Sequence, residues 1–168
     1  VRLLEYCPRS YYLAASYEDG SLVIWEETGR EPKEAFSFTE VGSIHGLVFL
    51  PINCEKLLLS GDDGGLSYLP DDTGGVADLS LPEGISLTGM MEFSLDGTIL
   101  AVATRGFEIA LVNFETMELL QILKGHTKDI TSLTFVVDND RYDGLIKDTS
   151  LLVSTSMDGT TRLWGVGE

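Results

Sequence analysis

The sequence predicts an all-β chain made of a four-stranded unit repeated about four times. Three observations carry that expectation. The first is a pair of well-formed hairpins. Tyr12 to Ser16, the turn Glu18-Asp19-Gly20 and Ser21 to Trp25 make one; Leu151 to Thr155, the turn Ser156-Met157-Asp158-Gly159 and Thr160 to Trp164 make the other. In each, a tryptophan stands six residues after the acid. Asp-Gly between two apolar runs is a hairpin signal, because both residues tolerate the positive φ of a tight turn.

The second observation is two weaker copies in between. Leu57 to Ser60, Asp63-Gly64 and Leu66 to Leu69 form one; Ile99 to Thr104, Glu108 and Ile109 to Phe114 form the next. The repeat-turn acids Asp19, Asp63, Glu108 and Asp158 are therefore 44, 45 and 50 residues apart. Asp138 to Ser150 reads as a loop insertion that lengthens the last interval. The third observation is the strands flanking each hairpin. Leu3 to Tyr6, Gly46 to Leu50, Leu87 to Phe93 and Ile130 to Val136 precede them; Ala35 to Thr39, Val76 to Leu81 and Leu119 to Leu123 follow the first three. Regular short strands with turn signals point to a repeated all-β architecture, and no apolar stripe at helical spacing is long enough to compete.

Composition sets the bounds. The chain has 168 residues, 43% of them apolar, and 11 Lys+Arg against 27 Asp+Glu give a formal charge of −16. That is enough chain for a sizeable core and too apolar for a disordered acidic tail. Nucleic acid by direct contact and an anionic membrane surface are disfavoured, since both are bound through clustered Lys and Arg. A protein or peptide partner of basic or mixed charge is compatible. No apolar run approaches a transmembrane length. Cys7 and Cys54 are too few for a disulfide scaffold, so both are read as reduced thiols of an intracellular protein, cytoplasmic or nuclear. A start at Val1, with a strand beginning at once, suggests a fragment or processed product.

The repeat resembles the WD-repeat β-propeller family. Gly125-His126, Leu152 to Gly159 and Arg162-Leu163-Trp164 carry the resemblance most closely, and the first copy matches through Trp25. The second copy lacks the aromatic, and the third has Glu108 for Asp and Phe114 for Trp. The resemblance implies a propeller with blades at about 1–40, 41–83, 84–124 and 125–168, the last lacking its outer strand. It also implies a structural hydrogen-bond chain through Trp164, Ser154, His126 and Asp158. Relatives usually close with about seven blades. About half a ring is therefore expected, with the remaining blades supplied by the same protein or a second chain. The family geometry further implies that Glu18, Asp62, Phe107 and Met157, each preceding a repeat-turn acid, form a candidate peptide-binding face.

No catalytic constellation emerges. His45 and His126 are the only histidines, His126 is absorbed by the structural chain, and nothing marks Cys7 as an activated thiol. No zinc motif is present, and Gly61-Asp62-Asp63-Gly64-Gly65 lacks the lysine of a phosphate loop. The acidic stretches Asp71 to Gly75 and Asp138 to Gly144 read as solvated loops rather than calcium sites. No Lys or Arg occurs from Leu57 through Thr104, a stretch holding eight acids, which suits steering of a basic partner or plain solubility. The leading reading is a non-catalytic protein-interaction scaffold without a cofactor. The alternatives are a ligand-sensing or autoinhibitory propeller domain of a switch protein and, further off, a calcium-dependent propeller hydrolase. The hydrolase would need several channel-facing acids, and the innermost strands offer only Glu5 and Glu92.

Overall fold

The computed structural model describes residues 1–7, 9–27, 31–39, 41–69, 76–136 and 150–166. Fifteen strands account for the regular structure of those residues. They are β1 (Leu3–Cys7), β2 (Tyr12–Ser16), β3 (Leu22–Glu26), β4 (Lys33–Phe38), β5 (Ile44–Phe49), β6 (Leu57–Gly61), β7 (Leu66–Leu69), β8 (Ala77–Leu79), β9 (Leu87–Phe93), β10 (Ile99–Thr104), β11 (Ile109–Asn113), β12 (Leu119–Leu123), β13 (Ile130–Val136), β14 (Ser150–Ser156) and β15 (Thr161–Val166). They pair into four antiparallel meanders, β1 to β4, β5 to β8, β9 to β12 and β13 to β15, the last with three strands. Each meander is a blade, and the innermost strands β1, β5, β9 and β13 neighbour one another in turn.

Strand alternation explains how the blades stack. Successive side chains point to opposite faces. In β6, Leu57 and Leu59 pack with Cys7, Ala14, Leu22 and Ile24 of the first blade. Leu58, between them, packs with Leu87, Leu100 and Val102 of the third. In β10 the same division sends Leu100 and Val102 back to the second blade and Ala101 and Ala103 forward, against Leu133, Phe135 and Leu152 of the fourth. A middle strand buried on both faces must read as a continuous apolar run, which is why Leu57-Leu58-Leu59 and Ile99 to Ala103 show no alternation. The fold therefore has three seams of core between four sheets rather than one central core.

The inner strands approach closely at one place. A Cβ built at Gly46 of β5 would overlap the carbonyl of Gly89 in β9, and Gly89 itself has φ +119°. Only glycine allows this contact on both sides.

Among the described residues, each end sheet keeps one face exposed. In the first blade Tyr6 pairs with Leu13 and Leu13 with Trp25 across the sheet. On that face Leu4 is 62% and Tyr6 48% exposed. In the fourth blade Thr134, Val153 and Leu163 line up across the sheet, and Leu163 is 62% exposed.

One expectation is overturned. Cys7, the last residue of β1, and Cys54, in the turn between β5 and β6, are joined as a disulfide, so neither is a free thiol. They lie 47 residues apart in sequence, and repeat stacking brings the ends of the two blades together.

Candidate interaction face

The hairpin turns between the second and third strands of each blade share one hydrogen-bond pattern. The amide of Gly20 donates to Tyr17 O, that of Gly64 to Gly61 O, that of Phe107 to Thr104 O and that of Gly159 to Ser156 O. The fourth residue in each turn takes a left-handed backbone, with φ of 81°, 73°, 64° and 82° at Gly20, Gly64, Phe107 and Gly159. This alignment fixes the register. Asp19, Asp63 and Asp158 occupy one position, and the third blade has Gly106 there. Glu108 lies two residues further, where the others have Ser21, Gly65 and Thr160.

The alignment corrects the candidate face as well. Glu18, Asp62 and Met157 are equivalent, but their counterpart in the third blade is Arg105, not Phe107. The sequence offset was misleading because Phe107 does a glycine's work, and the missing Asp-Gly pair removed the landmark. Phe107 stays on the same turn and is 38% exposed, and Met157 is 65% exposed. Arg105 is anchored: its Nη2 donates to Asp62 O at 2.8 Å and its backbone amide to Ser86 O at 3.0 Å.

The interblade connections reach the same face. Val41 N donates to Gly20 O, Leu87 N to Gly64 O and Met157 N to Asp129 O. Each turn is thereby tied to a connection between blades, so the face is a rigid mosaic of turns rather than a set of free loops.

The turn acids mostly cap their own turns. Asp19 Oδ1 accepts from Ser21 N at 3.0 Å and Ser21 Oγ at 2.6 Å, and these bonds hold its carboxyl below the ordinary carboxylate pKa. Asp63 Oδ1 accepts from Gly65 N at 2.9 Å. Glu108, displaced along the turn, pairs instead with Lys124 Nζ at 2.8 Å. An Asx turn unforeseen in the sequence sits on the opposite face, where Asp96 accepts from Thr98 N, Thr98 Oγ1 and Ser94 Oγ.

In the fourth blade the indole Nε1 of Trp164 donates to Ser154 Oγ at 2.8 Å. Ser154 Oγ lies 2.8 Å from His126 Nε2, and His126 Nδ1 lies 2.8 Å from Asp158 Oδ2. With the carboxylate able only to accept, Nδ1–H donates to Asp158 and Nε2 accepts the serine hydroxyl. Asp158 also accepts from Thr160 Oγ1 at 2.6 Å, Thr160 N at 2.8 Å and Thr127 N at 3.0 Å. The Thr160 hydroxyl foremost, with His126 and the two amides, holds its carboxyl far below the usual range. The side chains of His126 and Asp158 are 1% and 7% exposed, which leaves no approach for a substrate.

His45 does something different. It lies within β5 rather than before it, and its Nε2 pairs with Asp62 on the exposed face instead of with Asp63. Asp62 is held below its ordinary pKa mainly by this contact. The inner-strand acids Glu5 and Glu92 sense each other. Burial, with the Glu5 charge adding to it, pushes Glu92 up to about 7; burial raises Glu5 too. Among the described residues no three His, Cys, Asp or Glu side chains gather closely enough to hold a metal ion. The acidic stretch Asp71 to Gly75, and residues 138–149 of the insertion, lie outside the described residues; Ser150 already belongs to β14.

Known proteins agree with this architecture. Residues 117–165 match the family model of the WD domain, G-beta repeat. The chain is 31% identical over 113 residues to the U3 small nucleolar RNA-associated protein 21 homolog of Schizosaccharomyces pombe, a match that covers 67% of this chain and 11% of that protein. It superposes on the crystal structure of the Myceliophteria thermophila Cps50 (Swd1) beta-propeller domain with a TM-score of 0.76 at 14% identity, over 98% of this chain and 52% of that one. The chain thus spans about a tenth of the first relative and about half of the second.

Proposed function

The chain belongs to the WD-repeat β-propeller family, and from that premise we propose that it acts as a non-catalytic protein-interaction scaffold inside a larger assembly. The observation that carries this reading is the pair of bare end sheets. Leu4, Tyr6 and Leu13 on one flank and Leu163 on the other are the kind of surface that every internal seam of this fold buries. Exposed apolar area of that kind marks a contact surface. Further blades, from the same protein or a second chain, are the natural cover, because each flank presents apolar side chains from a sheet whose other face is already buried in a seam.

The turn face would take a protein partner. Glu18, Asp62 and Met157, with Arg105 and Phe107 beside them, offer acids, an apolar sulfur and an aromatic ring on a backbone held rigid by interblade hydrogen bonds. Rigid presentation lowers the ordering entropy that binding costs. The acidic balance favours a basic or mixed-charge segment over an acidic one.

The fission-yeast relative is by its name associated with U3 small nucleolar RNA, which supports placing this scaffold in a nuclear ribonucleoprotein. With a charge of −16, the chain would be held there through protein neighbours rather than through RNA contacts. The test is immunoprecipitation of the tagged protein with measurement of co-precipitated U3 RNA, beside direct titration of the purified chain with that RNA. Enrichment in the first and no binding in the second is the expected result. Direct high-affinity binding, or no enrichment, would overturn it.

A further inference from the structure

We infer that Cys7 and Cys54 form an exchangeable redox staple that locks the first blade to the second. The backbone separation is suited to it. The two Cα atoms are 6.2 Å apart, inside the range of natural disulfides. No other cysteine exists in the chain to compete. Both residues are buried, at 2% and 4% exposure, so neither pairs readily with a cysteine of another protein chain.

The surroundings make the bond adjustable rather than merely present. Cys54 sits at φ +57°, a left-handed backbone that a non-glycine residue holds only when its surroundings impose it. Two weaker links join the same turns: Arg9 Nη1 donates to Ile52 O at 3.2 Å and Ser10 Oγ to Asn53 O at 3.0 Å. With the disulfide open, these bonds keep the turns near each other, so the sulfurs can close again. A cavity of about 460 Å³ opens beside the seam, lined by Ile24, Phe36, Phe49, Cys54, Leu57 and Leu69 among others. Cys54 borders it and Cys7 is not among its described lining residues, so we assign Cys54 as the residue that a small thiol reaches first.

The chemistry balances with glutathione disulfide as oxidant. Deprotonated Cys54 attacks one sulfur of that disulfide, forms a mixed disulfide and releases one glutathione thiolate. Deprotonated Cys7 then attacks the Cys54 sulfur, closes the protein bond and releases the second glutathione. Two electrons pass from the cysteine pair to glutathione, and the two thiol protons end on the released glutathione molecules. In a reducing compartment the seam is open, and oxidation shuts it.

The experiment equilibrates the full chain with graded ratios of reduced to oxidised glutathione, then quenches with a maleimide reagent and reads free thiols by mass. Expected is one reversible step between the dithiol and the intramolecular disulfide. The oxidised form should melt about 10 °C higher, as expected for closing a loop of this length. Amide exchange from Leu50 to Lys56, where Cys54 N donates to Leu50 O, should speed up about tenfold on reduction. Cys7→Ser should keep a glutathione adduct at Cys54, and Cys54→Ser should take none. A bond that survives a thousandfold excess of reduced glutathione in the folded chain, thiols that oxidised glutathione leaves untouched, or a disulfide joining two chains would each overturn the inference. If the serine variants fail to fold, the wild-type exchange rates with and without reductant decide it by themselves.

Discussion

Trp164 donates its indole N–H to Ser154 Oγ at 2.8 Å, whereas Trp25, at the matching place in the first blade, has Ala15 where the serine would stand. One blade therefore carries a connected polar chain through its seam, and the other has only the apolar body of the ring on an open flank. Trp164→Ala should destabilise the chain by about 3–5 kcal/mol, through lost packing against the third blade. Ser154→Ala should cost about 1–3 kcal/mol, because it leaves the buried His126 Nε2 and the indole N–H unpaired. Trp25→Ala in the isolated chain should cost less than about 1 kcal/mol. Urea denaturation followed by circular dichroism measures all three, and a silent Trp164 change would refute the proposed role of the chain.

Asp158 should make the fold acid-sensitive. Its carboxylate accepts bonds from Thr160, His126 and Thr127, and its folded pKa lies below the ordinary 3.8. A group depressed in the folded state stabilises fully above its unfolded pKa and loses that contribution as pH falls toward the folded value. Stability is thus expected to be flat with respect to this group from pH 7 down to about 4 and to fall below that. Melting curves from pH 7 to pH 2 should show a shallower acid loss in Asp158→Asn than in the wild type. Identical acid slopes in both would contradict it.

How much of this was legible beforehand depended on whether local chemistry or stacking decided each feature. The Asp-Gly turns at Asp19, Asp63 and Asp158 could be read directly, because two residues with a special backbone preference mark them. The third blade's turn could not, since Phe107 adopts the left-handed backbone against its own preference, and the shift moved the face residue from Phe107 to Arg105. The Arg105-Gly106 pair ahead of Phe107 was the available signal. Strand β8 proved shorter than the apolar pattern suggested, as an outermost strand with a partner on one edge only. The Cys7–Cys54 bond was invisible because 47 residues separate the pair and only the docking of one blade on the next brings them together. The paired exposure of Leu4, Tyr6 and Leu163 is likewise a property of stacking order and not of any single strand.

Phe107 supplies a direct check of that turn register. A left-handed backbone costs a residue with a side chain roughly 1–2 kcal/mol, and glycine escapes most of this at a smaller entropic penalty. Phe107→Gly should therefore stabilise the chain by about 0.5 kcal/mol. Gly159→Ala, at the equivalent place with φ +82°, should destabilise by about 1 kcal/mol. Differential scanning calorimetry on both variants settles the point, and marked destabilisation by Phe107→Gly would place the residue's ring, not its backbone, at the centre of the turn.

Glu92 should make the chain less stable in alkali than near pH 5. Its folded pKa of about 7 exceeds the ordinary 4.5, because burial on the inner strand penalises the charge and Glu5 repels it. The folded state then holds a proton that the unfolded state has released between those two values. Stability must fall as pH rises through that window and stay reduced above it. Each tenfold change in proton affinity corresponds to about 1.4 kcal/mol. Solvent screening of a partly exposed side chain leaves roughly 1–2 kcal/mol of the total. Glu92→Gln, which keeps the shape and removes the charge, should recover that amount at pH 8 and change little at pH 4.5. Glu5→Gln should recover less, since repulsion is the smaller of the two causes at Glu92. Urea unfolding at both pH values measures it. If Glu92→Gln has the same effect at pH 4.5 as at pH 8, the carboxylate is charged in the fold at both and carries no such penalty.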